Sequence, residues 1–168
     1  IAALKARVWI RQGRLNEALG WARGRDLSVD DDLSYLREFE HITLTRILIA
    51  QYQNDRMDAS IHAVMRFLDR LLQAAEDGSR MGSVIEILIL QALAHQAQGN
   101  TTPALAPLER GLTLAEPEGY VRIFVDEGEP MRLLIADFRS SIEKQMPSSA
   151  PAQLGYTGKL LAAFAPPV

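Results

Sequence analysis

One short pattern occurs three times in this chain and restricts what it can fold into. QGRLNEAL (12–19), QNDRMDAS (53–60) and QGNTTPAL (98–105) each place a glutamine before a turn former, Gly13, Asn54 or Gly99. Each turn former is followed five residues later by an alanine, Ala18, Ala59 or Ala104. The turn formers stand 41 and 45 residues apart. Self-similarity at a period of about 20–50 residues marks a solenoid. One helical pair cannot bury both its apolar faces alone, so pairs stack and stability comes from neighbour interfaces. A methyl side chain five residues past the turn lets the second helix approach the first closely.

The rest of the chain supplies the helices this reading needs. Ala2–Gln12 and Leu15–Arg23 are helical patterns ending at Gly13 and Gly24, ordinary helix stops. A polar loop over 25–32 leads to a helix from about Leu33 to Gln53, which Asp30–Asp32 can cap electrostatically. Its partner runs from about Met57 to Glu76, with Leu68, Leu71, Leu72 and Ala75 in helical rhythm. Ser83–Gln98 is apolar nearly all round, as expected of a helix with neighbours on several sides. Thr102–Ala115 follows, with Thr102 as N-cap and Pro103 at the first helical position. Further helices are expected over Tyr120–Asp126 and Met131–Glu143. Proline, serine and glycine over 146–158 predict a loop, and 159–168 a short terminal helix followed by the start of a linker. No alternating strand pattern recurs, so the class is all-α. The repeats are taken as 1–24, 33–78, 83–117 and 120–145.

Composition excludes several function classes. Hydrophobic content of 48% supports a core and rules out a disordered chain. Net charge is −3, which provides no overall field to hold nucleic acid. The absence of cysteine removes disulfides, thiolate metal sites and cysteine nucleophiles, and it fits a reducing cytoplasm. The longest apolar runs are broken by Arg46, Glu86 and Gln91 and fall short of the roughly 18 residues of a membrane span. The first residue is Ile1 rather than Met, so the sequence is expected to be part of a longer protein.

Signals for catalysis are weak. His41, His62 and His95 do not pair at metal-ligand spacing, so no metal or cofactor is expected. No GxSxG elbow occurs. The Asp30–Asp32 run lacks the glycine and distal glutamate of a calcium loop. Trp9 and Trp21 are expected to share a core contact. The chain is therefore expected not to be an enzyme.

At QGRLNEAL the chain resembles a tetratricopeptide turn, through Gln12, Gly13, Glu17, Ala18 and Leu19; Gln98, Gly99, Ala104 and Leu105 repeat it. The period exceeds that family's 34 residues, so these helices are longer. Over most of its length the chain resembles the helical-repeat region of the large ATP-binding LuxR-type transcriptional regulators, the family of the bacterial maltose-gene activator. LKARVWIRQGRLNEAL, LREFEHITLTRILIAQ, VIEILILQALAHQAQGN and above all LAEPEGYVRIFVDEG (114–128) carry the likeness. The resemblance implies a right-handed superhelical array of antiparallel helix pairs, a tetratricopeptide-like α-solenoid. It also implies effector sensing and self-association, between an ATP-binding module and a DNA-binding module. Residues 1–168 contain neither a GxxxxGK[ST] phosphate loop nor a DNA-reading helix pair, so neither ATP use nor DNA contact is expected of them. The family's repeat geometry implies a concave groove offering Arg7, Arg11, His41, Gln51, Tyr52, Glu86 and Gln96. Its occupant is expected to be a small-molecule effector or a protein partner. A stand-alone scaffold that holds a peptide in that groove is the alternative.

Overall fold

The structure, a computed structural model, describes residues 2–56, 58–145 and 151–164. Among them there are nine α-helices and no strand. The chain divides into two compact units, Ile1–Arg80 and Met81–Val168.

The first unit begins with the antiparallel pair α1 (Ala2–Arg11) and α2 (Leu15–Gly24). Gly13 makes the turn between them at φ 74°, the left-handed region that glycine enters without a steric cost. A polar connection and a 3-10 turn at Tyr35–Arg37 follow, then α3 (Glu38–Asp55) and α4 (Asp58–Asp77). Helix α3 starts at Glu38 instead of Leu33, because the Ser34 hydroxyl accepts the Leu36 amide and closes the 3-10 turn first. Helices α3 and α4 pair, and α1 and α2 both pack on α3. Along α4 the buried residues Ile61, Val64, Leu68, Leu71 and Ala75 form one helical stripe. Burying a large aliphatic side chain of this kind is worth about 1.5–3 kcal/mol against leaving it in water.

The second turn departs from the expected register. Asn54 lies inside α3, and the left-handed residue is Arg56 at φ 56°. Counting from the left-handed residue, all three turns coincide. The next helix starts two residues on, at Leu15, Asp58 and Thr101, and a fully buried residue stands five on, at Ala18, Ile61 and Ala104. The second repeat thus fills the close-packing position with isoleucine. The Ala59 side chain, expected there, lies outside the described residues.

The connection between α2 and α3 is held in place by side chains, not by capping carboxylates. Asp31 Oδ2 accepts the Ser28 amide at 3.0 Å and meets His41 Nε2 at 3.0 Å. Arg70 reaches across from α4 to donate to the carbonyls of Val29 (3.0 Å) and Asp31 (2.6 Å). His41 is completely buried, edge-on to Phe67 at 5.4 Å. Partial burial pushes the Asp31 carboxyl upward, but the bonds from Ser28 and His41 outweigh it and hold the group below the usual carboxylate range. Glu40 joins the same wall, pairing with Arg25 (2.7 Å) and Arg37 (3.2 Å).

The second unit is built on the pair α5 (Met81–Ala97) and α6 (Thr101–Ala115), joined by Gly99 at φ 79°. Val84, Ile85 and every residue from Ile87 to Ala94 are buried, which is why α5 shows no polar face. Asn100, and not Thr102, occupies the N-cap position of α6, and no side chain caps that end. A 3-10 turn at Glu116–Glu118 leads to α7 (Arg122–Val125), then α8 (Glu129–Gln145) and α9 (Pro151–Phe164). The stretch expected as a helix over Tyr120–Asp126 is one turn, anchored by fully buried Phe124.

Helix α9 corrects the loop expected over 146–158, whose described part, from Pro151 on, is helical. Pro151 sits at the first helical position, where its missing N–H costs nothing. Gly155 and Gly158 would weaken an isolated helix by about 1 kcal/mol each. Docking overrides this. Tyr156, Thr157 and Leu160 are buried, Phe124 meets Tyr156 edge-on at 6.3 Å, and the Tyr156 hydroxyl donates to the Tyr120 carbonyl. Gln153 Nε2 donates to Thr113 Oγ1 at 3.0 Å. Burial, with Glu116 nearby, pushes the Tyr156 phenol up to about 12.

Candidate functional site

The residues expected to line a groove have different situations. Arg7 is half-buried on α1; its Nε donates to Thr43 Oγ1 at 2.8 Å and its guanidinium lies 3.9 Å over the Phe39 ring. Arg11 is exposed at the end of α1. His41 and Tyr52 are buried in α3 and present no surface for a ligand; His41 is committed to Asp31, and Arg56 lies over the Tyr52 ring at 5.7 Å. A helix packed on three neighbours buries residues on several faces, so spacing alone does not separate its open side. Glu86 is half-buried on α5. Gln96 is half-buried too, and its amide donates to the Pro130 carbonyl at 2.8 Å, a structural tie to the start of α8.

Gln51 lines a cleft. The depression, of about 460 Å³, lies in the first unit where the turn and first turns of α2 face the last turns of α3. Leu15 and Leu19 are half-buried in it. Around them stand the amides Asn16, Gln51 and Asn54 and the charges Arg14, Glu17, Arg23 and Asp55. Arg14 and Glu17 pair at 3.0 Å. The Glu17 carboxyl is held below its usual range, first by backbone hydrogen bonding and then by Arg14. Apart from Gln51 these residues were not legible as a site. The turn motif that carries most of them reads as folding grammar, and only the approach of α3 turns them into a wall.

A second depression, of about 60 Å³, has room for only a few water molecules. The ion pair of Glu38 with Arg80 (2.6 Å) walls it, beside Tyr35 and Leu71. The outer surface of the first unit carries exposed Tyr35, Leu36 and Phe39, with Leu4 and Val8 exposed on α1. Trp9 and Trp21 are half-buried instead of forming the core; Lys5 and Arg14 lie over the Trp9 ring at 5.2 and 5.8 Å. Among the described residues no group of three or more histidines, aspartates or glutamates is placed to hold a metal ion. Nor, among them, is any helix long and apolar enough to cross a membrane.

Antiparallel α-hairpins, left-handed turn residues two before each second helix, and a buried residue five beyond the turn define a tetratricopeptide-like helical-repeat protein, a class whose usual work is binding. Residues 1–141 match the family model of the MalT-like TPR region, and the chain belongs to that family. The matched span ends inside α8, so α9 lies outside it. No curated protein and no solved structure matches the chain.

Proposed function

We propose that this chain is a non-catalytic effector-sensing and self-association segment of a bacterial LuxR-type transcriptional regulator, working in the cytoplasm. The observation that carries the reading is the family match over residues 1–141, which includes the stretch LAEPEGYVRIFVDEG. The helical-repeat architecture supports it, since stacked hairpins present broad surfaces without needing chemistry of their own. The test is a thermal-shift screen of the chain with sugars, acyl compounds, amino acids and nucleotides, followed by sedimentation with and without each hit. A ligand that binds only the folded form raises the melting temperature, by an amount set by its concentration over Kd. The expected result is one chemical class that shifts melting and changes the sedimentation coefficient. A chain indifferent to every class, and monomeric throughout, would sink the proposal.

A second reading, a scaffold for a protein or peptide partner, is favoured by one observation. Tyr35 and Leu36 are 71% and 87% exposed, and exposed Phe39 carries the Arg7 guanidinium on its ring. Aromatic and arginine side chains together are the usual composition of interface hot spots. Capture of an extended peptide that is lost on Leu36→Asp would favour it over the first.

A further inference from the structure

We infer that the cleft between α2 and the end of α3 takes a small zwitterion, a free α-amino acid or a dipeptide, as its ligand. This rests on the effector-sensing reading above and names a chemical class and a place for it. Four charges line the cleft, two cationic (Arg14, Arg23) and two anionic (Glu17, Asp55). Arg14 and Glu17 satisfy each other at 3.0 Å. Among the described residues, Arg23 and Asp55 have no ion-pair partner, and they stand as one cation and one anion facing the same space.

That balance discriminates between ligand classes. A dicarboxylate or phosphate would meet Arg23 but also Asp55, and a polyamine would meet Asp55 but also Arg23. A ligand carrying one carboxylate and one ammonium satisfies both, the guanidinium offering its planar fork to the carboxylate and Asp55 accepting from the ammonium. The amides of Asn16, Gln51 and Asn54 each supply a donor pair and an acceptor for the remaining polar atoms. Leu15 and Leu19, both half-buried, are the apolar side chains of a mainly polar lining and can meet the ligand's aliphatic carbons. The volume, about 460 Å³ and open to solvent, suits a ligand of amino-acid to dipeptide size.

The test is calorimetric titration of the 168-residue chain with the common L-amino acids and a set of dipeptides. The best ligand is then compared with its methyl ester, which lacks the carboxylate, and its N-acetyl form, which lacks the ammonium. Each blocked analogue is expected to bind at least about tenfold more weakly than the zwitterion. Arg23→Met and Asp55→Asn are expected to weaken the zwitterion by a similar factor, with circular dichroism confirming that each variant folds. The ester and N-acetyl comparisons use the unaltered chain, so they hold even if a variant fails to fold. A zwitterion bound equally well by both variants, or blocked analogues that bind as well as the parent, overturns the inference. So does an amino-acid and dipeptide panel with no binder up to about 10 mM. If a neutral sugar or an acyl compound binds instead, this inference falls while effector sensing stands. If no class in either screen binds and the chain stays monomeric throughout, both fall.

Discussion

At the scale of single residues, the turns carry a cost that the surrounding helices offset. Gly13 and Gly99 adopt positive φ, and a Cβ added at either would meet nothing within 4 Å. Gly13→Ala and Gly99→Ala should therefore cost only the left-handed backbone penalty, about 1–2 kcal/mol each, with no clash against neighbouring elements. For a chain of this size that lowers the melting temperature by about 2–4 °C per kcal/mol, readable by calorimetry. Arg56 already bears this penalty in the second turn, which is why the sequence did not reveal the register there. Asn54 resembles a turn former, yet α3 runs one residue past it. The fully buried alanines lie five residues further on. Ala18→Leu or Ala104→Leu forces a larger side chain into a closed contact and should cost about 1–3 kcal/mol, while the unfolding transition stays cooperative. An unchanged melting temperature would show that those helices do not meet there.

Between elements, two tethers decide where loops and the last helix sit, and each has a pH signature. Asp31 fastens the α2–α3 connection to buried His41, and its carboxyl is held below the usual range. A depressed carboxylate contributes stability above its unfolded pKa, and that contribution disappears as pH falls through the folded value. Asp31→Ala should cost about 1–3 kcal/mol at neutral pH by leaving the imidazole without its acceptor, and it should flatten the acid limb of the stability profile below about pH 4. The tyrosine tether has the opposite sign. Tyr156 is raised to about 12, so the folded state favours the neutral phenol. Its contribution is complete below the unfolded value near 10 and disappears as pH climbs from there to about 12. Tyr156→Phe should cost about 1 kcal/mol through the Tyr120 carbonyl it leaves unpaired and should remove that alkaline loss in a urea series. Helix α9 itself was hidden because proline and glycine usually punctuate loops. Here Pro151 opens the helix, and the pair Tyr156 and Leu160, four apart, supplies the docking face.

For the molecule as a whole, the class of fold was legible and the site mostly was not, for one physical reason. Helical repeats are written in local grammar: a turn residue, a small or apolar side chain at a fixed offset, an apolar stripe. Each is set by neighbours in the chain. A surface that binds something is assembled from residues distant in sequence, so its partners appear only when helices are placed. The family's repeat geometry places His41 and Tyr52 at a surface, but α3 buries more than one of its faces and takes both inside, while Gln51, next to Tyr52, lines the cleft. Charge tells more at this scale than any residue list. The chain carries 18 lysines and arginines against 21 aspartates and glutamates, a net −3. The basic residues near the N-terminus are partly consumed by pairs, Arg14 with Glu17 and Arg25 with Glu40. DNA affinity at low salt depends on the cations free to replace condensed counterions, so a balanced surface gains little. The chain should show no retention of duplex DNA on a filter at about 10 µM protein and about 50 mM salt, conditions under which even non-specific binders hold on. Retention that weakens steeply as salt rises would reveal a phosphate-binding surface and move the DNA contact into the repeats themselves.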